Sequence, residues 1–174
     1  MSEYYYFAAS LPMLRMDRAV PMSYKAFMSQ AAEHLSPRDY KDLQLAVFSP
    51  SEEKASLPIV RDWQSFTTRL QRAVNKARAE RLGFSGWECG SDKEMDAKAH
   101  EIVDMNPLEG ERAMLSLCFD FLSSRETGSP FSSSQLMIYA LKLQILERSN
   151  AFDREKGRAE FDKLYSDIEG KIKR

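Results

Sequence analysis

The sequence predicts an all-α protein, a helical bundle of about six to seven helices, and three observations carry that expectation. From Ser23 onward, apolar residues recur at three- and four-residue spacing in one segment after another. Serine, asparagine or proline stands at the start of several of these segments, where a helix accepts a cap or a pre-set first residue. The chain also holds only seven glycines, mostly between the periodic stretches, which points away from a β-sandwich or a Rossmann-like sheet. A single helical domain over residues 1–174 is expected, with a possible lobe boundary near 83–91 that would divide it into two small lobes.

Taken in order, the first element is the run from Tyr4 to Leu14. Its aromatic content suits a strand, but a lone strand in a helical chain has no partner. The expectation is a first helix or an extended packed segment, buried in the core or against another protein. No basic segment precedes it, and at about eleven residues, interrupted by Pro12, it is too short to span a membrane.

Ser23 caps a helix carrying Tyr24, Phe27, Met28, Ala31 and Leu35. Ser36 and Pro37 start the next, with Tyr40, Leu43, Ala46 and Val47 as its stripe. Phe48 to Leu57, with Ser49-Pro50-Ser51, reads as a loop.

Pro58 opens the longest helix, which runs to about Leu82 and stops at Gly83. Ile59, Trp63, Phe66, Leu70, Ala73 or Val74, and Ala77 form its core side, and Arg61, Arg69, Arg72 and Lys76 fall opposite. Gly83 to Ser91 is the clearest break. Ser91 is then expected to cap a polar helix to about Met105, and Asn106-Pro107 starts another with Leu108, Met114 or Leu115, Cys118, Phe119 and Leu122 inward.

Ser123 to Ser134 reads as a linker. Gln135 to Leu146 is apolar nearly all round, which marks the central buried helix, and it and the helix from Pro58 are candidate equivalents in two lobes. The last helix sets Phe161, Leu164, Tyr165, Ile168 and Ile172 on one face among many charges.

Composition narrows the function classes. A formal net charge of -1 gives no global attraction to nucleic acid or anionic lipid. Cys89 and Cys118 form no ligand pair, so free thiols in a reducing, cytoplasmic setting are expected. Asp96, His100 and Asp104 share a helix face and are the least implausible metal or catalytic group, but His34 is far away in sequence.

Cys118 sits at an inward position beside Phe119, and Cys89 has Glu88 as its neighbour, so neither reads as an activated nucleophile. No glycine-rich phosphate loop is present. The expectation is therefore no enzyme by itself, with no catalytic residue, cofactor, metal or small-molecule ligand.

The strongest electrostatic feature is the long helix, where Arg61, Arg69, Arg72, Lys76, Arg78 and Arg81 outnumber Asp62 and Glu80. Such a run is ordinarily a solvated face. As a contact surface it suits an acidic protein or RNA phosphates, although Trp63 and Phe66 point to the core rather than interleaving with the arginines. Arg61, Arg69, Arg72 and Lys76 are the candidate partner-binding residues.

Several segments together resemble the C-type component of V/A-type rotary ATPases, the one called d in eukaryotes. More closely, they are similar to a small, poorly characterised bacterial family encoded in V-type ATPase operons. Tyr4-Tyr5-Tyr6-Phe7-Ala8-Ala9-Ser10-Leu11-Pro12 resembles that family's aromatic N-terminal signature, followed by Ser23-Tyr24-Lys25-Ala26-Phe27 at the expected next position. Leu70-Gln71, Arg78-Ala79 and Leu82-Gly83 resemble the long helix of a C-type lobe, and Asn106-Pro107-Leu108-Glu109 with Glu111-Arg112-Ala113 its next helix start. Tyr139 to Arg148, with Phe152-Asp153 and Lys156-Gly157, is similar to the C-terminal signature.

The full C-type component has three similar helical lobes, and 174 residues hold about half of that, so the resemblance implies a shortened relative. It also implies a non-catalytic part that couples the central shaft to the membrane rotor ring, attached at the cytoplasmic face without inserting into the membrane. The two rival expectations are a helical adaptor or assembly factor unrelated to the ATPase, and an RNA-binding module using the basic face.

Overall fold

The computed structural model describes residues 4–48, 53, 55–84, 92–126, 128–152 and 154–172. Among them are eight helices and no strand: α1 (Tyr5–Ser10), α2 (Tyr24–His34), α3 (Pro37–Leu45), α4 (Pro58–Arg81), α5 (Lys93–Asp104), α6 (Pro107–Ser124), α7 (Ser133–Asn150) and α8 (Arg154–Ile172). The all-α class is as expected. The additional helix is α1, which makes the start of the aromatic run helical.

The starts follow local chemistry. Ser23 Oγ accepts from the Ala26 N–H at 3.1 Å, Ser36 Oγ from Asp39 at 3.2 Å, and Asn106 Oδ1 from Glu109 at 2.9 Å. For α5 the cap is Asp92, which accepts from Met95, whereas the expected cap, Ser91, lies outside the described residues. The α4 helix has Leu57 at its N-cap and no side-chain cap of its own. Asp42, buried on α3, instead holds the segment that leads into α4: its two carboxylate oxygens take the N–H groups of Ser56 at 2.7 Å and Leu57 at 3.0 Å, both ahead of the first helical residue.

The α7 helix is the centre. Leu136, Met137, Ile138, Ala140, Leu141, Leu143, Ile145 and Leu146 are buried on all its sides, and α2, α3, α4 and α6 pack around it. These helices bring Phe27, Leu43, Trp63 and Leu115 to one continuous core. The two candidate lobe equivalents, α4 and α7, lie against each other within it.

Polar groups of α7 tie down the surrounding backbone. Gln144 accepts from the Phe48 N–H at 3.1 Å and donates to the Ala46 carbonyl at 2.8 Å. Trp63 Nε1 donates to the carbonyl of Val47, between those two residues, at 2.8 Å. The Tyr24 N–H donates to Glu147 at 2.7 Å, joining the start of α2 to the last turns of α7.

The α5 helix packs on α4 and α6. Its contacts to α4 rise in step along both helices: Asp92 with Arg69, Asp96 with Lys76, His100 with Glu80, and the Val103 carbonyl with Arg81. The two helices are therefore parallel, and α5 begins beside the middle of α4 rather than at its end. Of the candidate boundary at 83–91, residues 85–91 lie outside the described residues. At the other end of α5, the turn into α6 is tight. A Cβ on Gly110 would stand 2.7 Å from the Ile102 carbonyl oxygen.

Two expectations are corrected. The Tyr4–Leu14 run is only partly buried: Tyr4 and Phe7 are inside, but Tyr6 is 88% and Met13 84% exposed. A helix of this length has room to face inward with one side only. Leu108 is exposed, because it sits in the first turn of α6, beyond the body of the core. Phe161, Leu164, Tyr165 and Ile168 of the last helix are all exposed, and the described fold leaves them uncovered.

Gly110→Ala tests the α5–α6 corner. Helix propensity alone favours alanine by about 1 kcal/mol, whereas the contact with backbone opposes it by roughly 1–3 kcal/mol. The expected outcome in urea denaturation is a lower midpoint for the variant, and an unchanged or raised midpoint contradicts the close approach.

Candidate interaction surfaces

The four candidate residues of α4 do share one side of the helix, but the structure divides them. Arg69 lies 3.1 Å from Asp92 and Lys76 2.7 Å from Asp96, both at the start of α5. Residues 69 and 76 are seven apart, so they stack two turns from each other on the side that faces α5. Arg81 donates to the Val103 carbonyl, and the acids of α4 are also engaged, Asp62 with Arg125 at 3.6 Å and Glu80 with His100 at 3.2 Å. Arg61 and Arg72 are exposed, and no ion pair is seen for either among the described residues. The expected basic contact face is thus half an internal seam, with Arg61 and Arg72 as its outward part. Eleven residues apart, they stand about 16 Å from each other along the axis.

The candidate metal group is divided in the same way. Asp96 is bound to Lys76 and His100 to Glu80, and no cluster of three metal-ligating side chains occurs among the described residues. Cys118 is buried in the core, and that burial, with Glu111 nearby, pushes its thiol up to about 12. Such a thiol is not a nucleophile at neutral pH. Cys89 lies outside the described residues.

Several surfaces escaped the sequence reading. Tyr5 packs its ring 4.5 Å from Phe131 and 5.5 Å from Tyr6, an aromatic patch outside the bundle. It is held from beneath by Tyr4, whose hydroxyl donates to Asp39, and by Phe7, stacked on Phe27 and His34. Burial and the Asp39 carboxylate both raise the Tyr4 phenol.

Beside it, Leu11 to Leu14 and α7 enclose a cleft of about 240 Å³. On one wall Lys142, buried, donates to Glu126 at 2.7 Å and lies 4.4 Å from the Phe119 ring. Tyr139 donates to the Pro12 carbonyl at 3.0 Å, and burial pushes its phenol up to about 12.

A larger groove, of about 800 Å³, lies at the corner where α4 ends and α5 turns into α6. Leu82, Ile102, Val103, Met105 and Met114 line it, with Arg78 and Arg81 among its polar residues. Leu82, apolar and just past the last turn of α4, stands in its wall.

Charge reversal separates the seam from the outer face. Lys76→Glu, set against Asp96, is expected to lower stability by roughly 1–3 kcal/mol, while the double variant Arg61→Glu/Arg72→Glu stays within about 0.5 kcal/mol of the parent. Equal losses in thermal or urea unfolding would refute this division.

Tyr139 gives a pH test. Its folded value lies above the ordinary 10.0, so the native state holds the proton more tightly than the unfolded chain. That contribution is complete below pH 10 and is lost as pH rises toward 12. In an ultraviolet titration of phenolate absorbance, Tyr139→Phe should remove one late-ionising group, and loss of an early one would contradict the assignment.

Compared with protein-family models, curated proteins and solved structures, the chain has no match in any of the three.

Proposed function

We propose that this chain is a non-catalytic component or accessory subunit of a V/A-type rotary ATPase, coupling the central shaft to the membrane rotor ring. In this reading the outward half of its N-terminal aromatic run is a contact surface. The observation that carries the reading is the way the run Tyr4–Leu14, whose residues Tyr4 to Pro12 resemble the N-terminal signature of the ATPase-operon family, divides in space. Tyr4 and Phe7 anchor α1 to α2 and α3, and Tyr5, Tyr6 and Met13 are left outside. Tyrosine on a fixed base contributes a large contact area at a low ordering cost, and it is enriched among the residues that dominate binding energy.

The fold suits the role in kind. Passing torque needs a stiff body with more than one docking surface, and needs no reacting group. A helix enclosed on every side gives this bundle a solid centre. No helix among the described residues is long and apolar enough to cross a membrane, and the proposed association with the ion-translocating complex runs through protein contacts at the cytoplasmic face. Arg61 and Arg72 offer a second, charged contact for acidic side chains of shaft or ring, screened over about 8–10 Å near physiological salt.

Affinity capture of the tagged chain from its native host tests the reading. Rotary ATPase subunits are expected to co-purify. Tyr5→Ser/Tyr6→Ser should reduce their recovery at least tenfold without moving the melting temperature, and Arg61→Glu/Arg72→Glu should reduce it most at low salt. Absence of ATPase subunits defeats the proposal, and salt-sensitive recovery of RNA in their place would establish the RNA-binding alternative.

A further inference from the structure

Two apolar surfaces of this chain lie open, and they are of complementary form. One is a ridge. Phe161, Leu164, Tyr165 and Ile168 of α8 form a single stripe, each between 48% and 65% exposed, with the rings of Phe161 and Tyr165 stacked at 6.3 Å. The other is the corner groove of about 800 Å³ between the end of α4 and the α5–α6 turn, where Leu82 and Met105 are also exposed. A contiguous apolar patch on a helix is a contact surface in most folded proteins.

We propose that α8 of one copy lies in the corner groove of a second copy, and that two copies exchange these helices in a closed two-fold dimer. Charge favours the fit. Glu160 and Asp162 flank the stripe on either side at about 100° per residue, and Arg78, in the groove, has no ion pair among the described residues. At the other sign, Arg158 borders the stripe near its start, and Asp104 in the groove likewise has no ion pair among the described residues.

Size favours it as well. The groove falls within the range of about 300–1,000 Å³ that encloses large apolar ligands. Aromatic side chains bury about 150–250 Å² each when fully enclosed, so Phe161 and Tyr165 give the ridge its largest faces to place there.

Position supplies the third argument. Glu111 lines the groove and is held at 2.6 Å by Arg148, in the last turn of α7. The chain therefore enters α8 beside the groove, and two copies facing each other across a two-fold axis can pass their last helices to one another. Each copy then gives one ridge and one groove, and exchange across the two-fold axis satisfies both at once.

Light scattering coupled to gel filtration tests the proposal on the full chain. The parent is expected to elute with the mass of a dimer at micromolar concentration. Leu164→Glu on the ridge and Leu82→Glu in the groove should each raise the dissociation constant more than tenfold while leaving the helical circular dichroism unchanged. Mixed together, the two variants should form a mixed dimer, because one retains an intact groove and the other an intact ridge. A monomeric parent overturns the proposal, as would occur if α8 covered its own groove. A dimer indifferent to Leu82→Glu, as in pairing of α8 with α8, also overturns it, and so does the absence of a mixed dimer. The inference stands apart from the ATPase reading: Tyr5→Ser/Tyr6→Ser should leave the dimer intact.

Discussion

Everything in this structure depends on the enclosure of α7. A helix apolar on all sides cannot rest at a surface, so four other helices are required to surround it, and their apolar stripes are satisfied in doing so. The few polar groups that α7 carries are placed where the enclosing layer would leave backbone unpaired. Gln144 holds the exit of α3, and Glu147 holds the start of α2. Lys142, buried, is paired with Glu126 and lies over the Phe119 face, an arrangement in which removal of Glu126 would leave the amine without its ion partner.

A second layer is built on electrostatics. The α5 helix presents few large apolar residues, and Met95 and Ala99 are its buried ones. Its attachment to α4 draws on Asp92, Asp96 and His100, which take up Arg69, Lys76 and Glu80. The pairs differ in weight. Lys76 with Asp96 is about four-fifths buried on both partners, whereas Arg69 with Asp92 is half open to water and contributes little. The surfaces left over for other molecules lie outside both layers: the aromatic patch at α1, the outer arginines of α4, and the ridge and groove at α8 and the α4–α6 corner.

Much of the fold was legible in the sequence because the capping and stripe signals are local. Ser23, Ser36 and Asn106 cap as their spacing implies, and Trp63 and Phe66 are interior as the long helix's period requires. Less was legible wherever the answer depended on a second element. Asp42 as the anchor of the entry to α4 could not be read, since fourteen residues separate it from Ser56. Nor could the sharing of the basic face, because a helix wheel shows which residues point outward together and not whether acids of another helix await them. The stripe of α8 illustrates the same limit: periodicity assigns it a face, and only the packed structure shows that nothing in the described fold meets that face.

The parallel course of α4 and α5 has an electrical consequence. Neighbouring helices usually run antiparallel, so that their macrodipoles attract. Here the two point the same way, and the partly positive start of α5 is set against Arg69 and Lys76 in the middle of α4. Left alone, that juxtaposition would push the helices apart. The first turn of α5, with Asp92 at its cap and Asp96 following, inserts negative charge between the dipole end and the cations. The same carboxylates thus answer two positive neighbours at once, the dipole end of their own helix and the cations of the helix beside it, with Asp96 in the more buried of the two pairs.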